Sequence, residues 1–208
     1  MVADSTHVAY AGSISELIST AAIQRGTGIA VREPAYIEKK MREGKAVIAL
    51  CNGQLAGFCY IETWENKKYV ANSGLVVHPD FRNQGLAEQI KKAAFNLSKK
   101  KFPGTKLFGI TTSLPVMKIN SKLGYKPVTF SELTKDELFW NGCKSCPNFD
   151  ILTRNNQKHC LCTGMLYDPL KKEVESALRK KKWEIIFRWM KIKQSGLFKK
   201  KSNIQKVQ

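Results

Sequence analysis

The segment that most constrains this chain is Ser73-Gly74-Leu75-Val76-Val77-His78-Pro79-Asp80-Phe81-Arg82-Asn83-Gln84-Gly85-Leu86-Ala87. Up to Val77 it is β-branched and apolar, and Pro79 stops the strand. From Leu86 the period changes. Leu86, Ile90, Ala93, Ala94 and Leu97 recur at helical spacing to about Lys101, before Pro103-Gly104 breaks the pattern. A strand that passes through a short loop into a long helix brings the helix's unpaired N–H groups and positive dipole end to the strand's carboxyl end. That arrangement suits an anion such as phosphate. Gly85 lets the backbone approach a ligand with no Cβ in the way. Ala87 keeps the first turn slim, and Arg82 and Gln84 can add donors. R-x-x-G-x-A is weak alone; the preceding V-H-P-D-F-R and the strand-loop-helix context make it specific.

The elements around it define the class. Thr6 to Tyr10 reads as a short strand. Ser13 and Glu16 then form a capping box for a helix carrying Leu17, Ile18, Ala21 and Ala22, which Gly26-Thr27-Gly28 ends. Pro34 suits the first position of a second helix, Ala35 to Glu43, stopped by Gly44. Ala46 to Cys51, the hairpin signal Asn52-Gly53, Leu55 to Trp64, a turn at 65–68 and Tyr69 to Val77 make an antiparallel meander, because the connections are too short for crossovers. After the long helix come a strand at Lys106 to Thr112, a helix capped by Ser113 with Pro115 in its first turn, and a strand at Lys126 to Phe130. The region 131–162 reads as a cysteine-containing insertion, with Cys160 to Tyr167 the last strand. The predicted class is α/β: a mixed, mostly antiparallel sheet with helices on both faces. The predicted domain is 1–169, followed by a basic amphipathic helix at 170–192 and a disordered tail at 193–208.

The segment 73–87 resembles the acetyl-CoA loop of the GNAT superfamily of N-acetyltransferases. The order of elements from Thr6 to about Tyr167 is also similar to that fold, and Leu123-Gly124-Tyr125 resembles the end of the family's fourth helix. The resemblance implies an N-acyltransferase that moves an acetyl or other short acyl group from acyl-CoA to a small-molecule primary amine within a ternary complex. The amides of Asn83, Gln84, Gly85, Leu86 and Ala87, with Arg82, would hold the pyrophosphate. The backbone of Leu75, Val76 and Val77 would pair with pantetheine, and Val76 or Val77 would polarise the acyl carbonyl. This sequence departs from the family's proton-transfer pair. Asn72 stands about where many members carry a Glu base, Asn120 where many carry a Tyr acid, and Ser113 replaces an earlier Asn of the same helix region. Glu62, Glu65 and His78 are the substitute candidates for the base. A catalytically inactive acyl-CoA-binding or interaction module is the alternative.

Two stretches resemble GNAT-type bacterial N-acetylglutamate synthases. One is Gly28-Ile29-Ala30-Val31-Arg32, whose Arg32 can clamp a carboxylate; the other is Leu107 to Thr112, which ends in Thr111 and Thr112. Both point to an amino-acid acceptor such as glutamate. Cys143, Cys146, Cys160 and Cys162 can supply four thiolates to a structural Zn²⁺, with free thiols the other reading; Cys51 and Cys59 read as core. Residues 1–7 lack a basic and an apolar segment, so the expected location is cytoplasmic. Of the net charge of +18, the last 39 residues carry thirteen basic and three acidic side chains. That excess suits an anionic membrane surface or a soluble tail; nucleic acid is not the expected partner. The stripe Trp183, Ile186, Phe187 and Met190 suits docking on the chain's own domain. The oligomeric state is not legible.

Overall fold

The strand Gln54–Trp64 (β2) is apolar on both faces, and its two faces serve different layers. Phe58 and Tyr60 pack with Ile14, Ile18, Ile37 and Met41, whereas Cys59 and Ile61 pack with Ile90, Ala94 and Leu97. Period-two alternation in a central strand therefore requires helices above and below the sheet. The computed structural model describes residues 1–26 and 30–194.

In chain order the elements are α1 (Ala11–Arg25), α2 (Pro34–Arg42), β1 (Ala46–Cys51), β2, β3 (Tyr69–Val77), α3 (Leu86–Lys101), β4 (Lys106–Thr111) and α4 (Leu114–Lys122). Then follow β5 (Lys126–Val128), α5 (Glu137–Asn141), α6 (Phe149–Arg154), β6 (Thr163–Tyr167) and α7 (Pro169–Gln194). The sheet order is β1-β2-β3-β4-β6-β5, with β3-β4 the parallel pair and every other pair antiparallel. The expected mixed, mostly antiparallel sheet with helices on both faces is the observed fold. The Asn52-Gly53 hairpin forms with both φ positive, 48° and 79°.

Three local expectations are corrected. Residues 5–10 form a 3-10 turn, not a strand. Asp4 accepts the Thr6 N–H at 2.9 Å and His7 closes a capping box with it, so the helical region starts earlier than Ser13 suggests. The segment after Val128 turns into a 3-10 turn at Phe130–Glu132 instead of continuing the strand. Cys160 and Cys162 precede the last strand, which starts at Thr163.

The region between β5 and β6 builds its own core. Phe130, Leu133, Trp140 and Leu152 close over Tyr69, Ala71, Phe108 and Leu166. Trp140 Nε1 donates to the Thr134 carbonyl at 2.9 Å, which satisfies its one buried donor. β6 then enters between β4 and β5, so the insertion is fastened at both ends to the sheet.

Residues 1–168 form one compact unit and the chain from Pro169 a second. Within the second, α7 spans the predicted basic helix, with Trp183 and Phe187 stacked one turn apart at 5.9 Å. The predicted disordered tail falls, from residue 195 on, outside the described residues. Among the described residues no helix is long and apolar enough to cross a membrane.

Candidate functional site

The parallel pairing of β3 with β4 lasts only three residues, Tyr69 to Ala71 against Lys106 to Phe108. Beyond Asn72 and Gly109 the two strands part, and a cleft opens between them. On its other edge β3 stays paired with β2 through Val77, across an irregularity at Phe58 to Tyr60. The irregularity has a local cause. Gly74 holds φ +65°, and a Cβ there would stand 2.6 Å from the Tyr60 ring. The close packing of Tyr60 under Gly74 thus bends β3 away from β4.

At the far end of β3 lies the loop that opens α3. Arg82 Nε donates to the Val77 carbonyl at 3.2 Å, and Gln84 Nε2 to that of Asp80 at 3.2 Å, which curls the loop back on itself. Asn83 and Gly85 both take positive φ, 60° and 76°, and Gly85 is the N-cap. Among the described residues, the amides of Asn83, Gln84, Gly85, Leu86 and Ala87 donate to no protein acceptor. Five free N–H groups at the positive end of a sixteen-residue helix make an anion cradle.

Among the described residues, the charged side chains that line the cleft are Arg25, Arg32 and Lys91, with no carboxylate. Arg32 is held from both sides: Nε donates to Tyr60 Oη at 2.9 Å, and Nη1 to the Val31 carbonyl at 2.9 Å. Its guanidinium also lies over the Tyr36 ring, 5.6 Å from the centroid. Thr111 lines the cleft with its hydroxyl accepting the Ser113 N–H at 3.0 Å, whereas Thr112 does not line it. Asn120 is 1% exposed and faces the cleft with an Oδ1 that has no partner among the described residues.

The three candidate bases are placed elsewhere. Glu62 is bound to buried Lys40, accepts from Tyr36 Oη at 3.0 Å and accepts the Thr63 N–H at 3.1 Å. Glu65 is in the turn after β2, where Thr134 Oγ1 donates to it at 2.8 Å and the Lys135 N–H also donates. Burial acts to raise its pKa, but those hydrogen bonds prevail and lower it, the wrong direction for a base. His78 lies 3.5 Å from Asp80 and lines a second pocket beside Tyr10 and Leu55. None of the three borders the cleft. At position 72, Asn72 is a buried hub, donating to Ser98 Oγ and accepting from Tyr125 Oη, each at 2.8 Å.

Cys143, Cys146, Cys160 and Cys162 all border the same cleft as free thiols. The zinc expectation is corrected: among the described residues no group of three or more His, Cys, Asp or Glu side chains is arranged to hold a metal ion. Cys160, ahead of the strand rather than on it, turns its Sγ onto the Asn148 carbonyl at 3.8 Å. Burial, and after it the neighbouring sulfurs, push the Cys143 thiol up to about 11 and the Cys162 thiol up to about 12.

Sequence reasoning missed Tyr60, Arg25 and Lys91. The signal for Lys91 was its spacing. Ala94, Phe95 and Ser98 follow it at three, four and seven residues, which puts it on the buried face of α3.

A sheet splayed beside a helix-capping anion loop is the arrangement that the resemblance of residues 73–87 to the GNAT superfamily implies. Residues 42–127 match the model of the acetyltransferase (GNAT) domain. Solved structures of that superfamily share the fold. N-acetylglutamate synthase from Neisseria gonorrhoeae, solved with coenzyme A and N-acetyl-glutamate, is 16% identical over 76% of this chain, with a TM-score of 0.55. This chain spans 32% of that enzyme's length. Rv2747 from Mycobacterium tuberculosis, solved with CoA, is 13% identical, and the match covers 81% of this chain and 97% of that one (TM-score 0.58). A phosphinothricin acetyltransferase from Sinorhizobium meliloti, in complex with AcCoA, is 13% identical, with 77% and 84% covered and a TM-score of 0.52. No curated protein matches the sequence.

Proposed function

We propose that this chain is an acyl-CoA-dependent N-acyltransferase that passes an acetyl or other short acyl group to the α-amine of a small carboxylated acceptor, an amino acid such as glutamate. The observation that carries the reading is the continuity of the β3-β4 splay with the five free amides of Asn83 to Ala87. The loop, with Arg82, takes the pyrophosphate. The pantetheine arm lies along Leu75 to Val77, whose β4-facing edge has no strand partner, and a backbone N–H there polarises the acyl carbonyl. A carboxylated acceptor suits a cleft lined, among the described residues, by cations and no anion. Arg32, fixed by Tyr60 and Tyr36, offers its remaining N–H groups to one carboxylate, with Thr111 nearby. Both substrates bind before transfer, so no covalent enzyme intermediate forms and none of the cysteines is a nucleophile.

Titration calorimetry of the full chain with CoA, acetyl-CoA and succinyl-CoA tests the first half. An amine panel assayed by release of free thiol tests the second. Absence of binding to all three sinks the reading. Asn72 and Asn120, where many relatives carry the proton-transfer pair, favour a second reading, a catalytically silent CoA-binding module; binding without turnover across the panel would select it.

A further inference from the structure

Two lysines are buried among the described residues, Lys40 and Lys91. Lys40 has Glu62 as its counter-ion. Lys91, 2% exposed, has no carboxylate beside it among the described residues. Its Nζ donates to the Asn72 carbonyl at 3.2 Å and stands 5.9 Å from the centroid of the Tyr125 ring. An ammonium carries three N–H donors, so two remain without an acceptor among the described residues. A buried cation with one donor of three satisfied is unfavourable in a finished core and calls for a partner that arrives later.

Its place in the fold says what the partner is. Asn72 and Gly109 mark the point where β3 and β4 separate. The Asn72 carbonyl, turned toward β4 and left without a ladder partner, is the atom Lys91 holds. On the β4 side Nζ faces Gly109, which has no side chain; a Cβ there would stand 3.9 Å from Nζ. Lys91 therefore borders the same cleft as Leu75 and Asn120.

We propose that Lys91 is the leaving-group residue of acyl transfer: its ammonium receives the sulfur of CoA as the carbon–sulfur bond breaks, and protonates it. The inference rests on the acyl-CoA reading above. As the acceptor nitrogen bonds to the thioester carbonyl carbon, the sulfur departs with both electrons of its bond. A proton passes from Nζ to the sulfur, and the proton shed by the new amide nitrogen returns to Nζ through water in the cleft. Asn120, where many relatives place the acid, has no acidic proton to give. Burial lowers the Lys91 pKa, against a smaller raising effect from Cys59, and brings the ammonium nearer to a thiol in acidity. The titratable groups facing it are Cys59 from β2 and Tyr125 from the turn after α4. Burial raises both, so both stay neutral where Lys91 acts.

The test compares CoA with dethio-CoA, which lacks the sulfur, by calorimetry on the full chain and on Lys91→Met. Lys91→Met keeps the length and removes the charge. The native chain should prefer CoA by about tenfold at a pH one unit above the pKa of the bound thiol. Lys91→Met should bind dethio-CoA as the native chain does and lose the preference, with turnover down about 10²–10⁴-fold. Equal binding of the two ligands by the native chain, or a preference kept by Lys91→Met, overturns the role of Lys91 and leaves the CoA site standing. Binding of neither ligand by the native chain overturns both. If Lys91→Met does not fold, thiolate absorbance of CoA bound to the native chain decides. A bound thiol as weakly acidic as free CoA refutes the proposal.

Discussion

Tyr125 Oη donates to Asn72 Oδ1 over 2.8 Å, joining the turn after α4 to the strand beside the cleft. Asn72 Nδ2 passes the chain on to Ser98 Oγ, which donates to the Ala94 carbonyl at 2.8 Å. The position where a catalytic carboxylate was sought is thus a structural node that fixes α3 and β3 at the mouth of the splay. Tyr125→Phe removes one donor and leaves a buried Oδ1 unsatisfied. It should cost about 1–3 kcal/mol, read by urea unfolding. Stability unchanged within experimental error would show the node to be dispensable.

Arg32 is held by Tyr60 with its outer N–H groups facing the cleft. Arg32→Ala should raise KM for a carboxylated amine about tenfold or more and leave the dissociation constant of CoA within about twofold. A parallel loss of CoA affinity would place Arg32 on the wrong substrate.

Gly85 stands at φ +76° with open space around its Cβ position. The penalty for a side chain there is in the backbone, not in a clash. Gly85→Val should strain the loop by about 1–2 kcal/mol or flip it, displacing the cradle amides. CoA affinity should fall about tenfold or more while the thermal midpoint moves little, measured side by side by calorimetry and circular dichroism.

The thiols predict an alkaline limit. Cys143 and Cys162 titrate in the folded chain at about 11 and about 12, against an ordinary 9.0, because burial and then the adjacent sulfurs disfavour their thiolates. Below pH 9 both states keep these protons, and nothing is gained or lost. Above it the unfolded chain releases protons that the folded chain retains, so stability falls as pH rises from 9 toward 12. Thermal midpoints between pH 8 and 11 should decline, and Cys143→Ser with Cys162→Ser should flatten the decline. Cys51, expected in the core, is instead exposed at the end of β1, and at neutral pH it should alkylate ahead of these two.

Local chemistry made much of this molecule legible. Asn52-Gly53 sets the hairpin, the alternation in β2 sets two covered faces, and the run from Leu75 to Ala87 sets a strand, an anion loop and a helix, because each depends on neighbours a few residues apart. The N-terminal 3-10 turn was misread because Ser13 and Glu16 offer an equally good capping pattern. The choice fell to Asp4 and His7, together with burial of Ala3 and Ala11 against α2 and the sheet.

The cleft's inventory came only from tertiary structure. Glu62 and Glu65 look like bases in sequence, but their partners Lys40 and Thr134 come from elements 22 and 69 residues away. Lys91 looks like a solvated helix lysine until α3 is laid on the sheet and the parting of β3 from β4 leaves the Asn72 carbonyl for it to bind. Which side chains face one another across a splayed sheet depends on long-range register and on a bulge at Gly74. The sequence alone sets the elements and the anion loop; the packing decides which charges are paired and which are left facing the cleft.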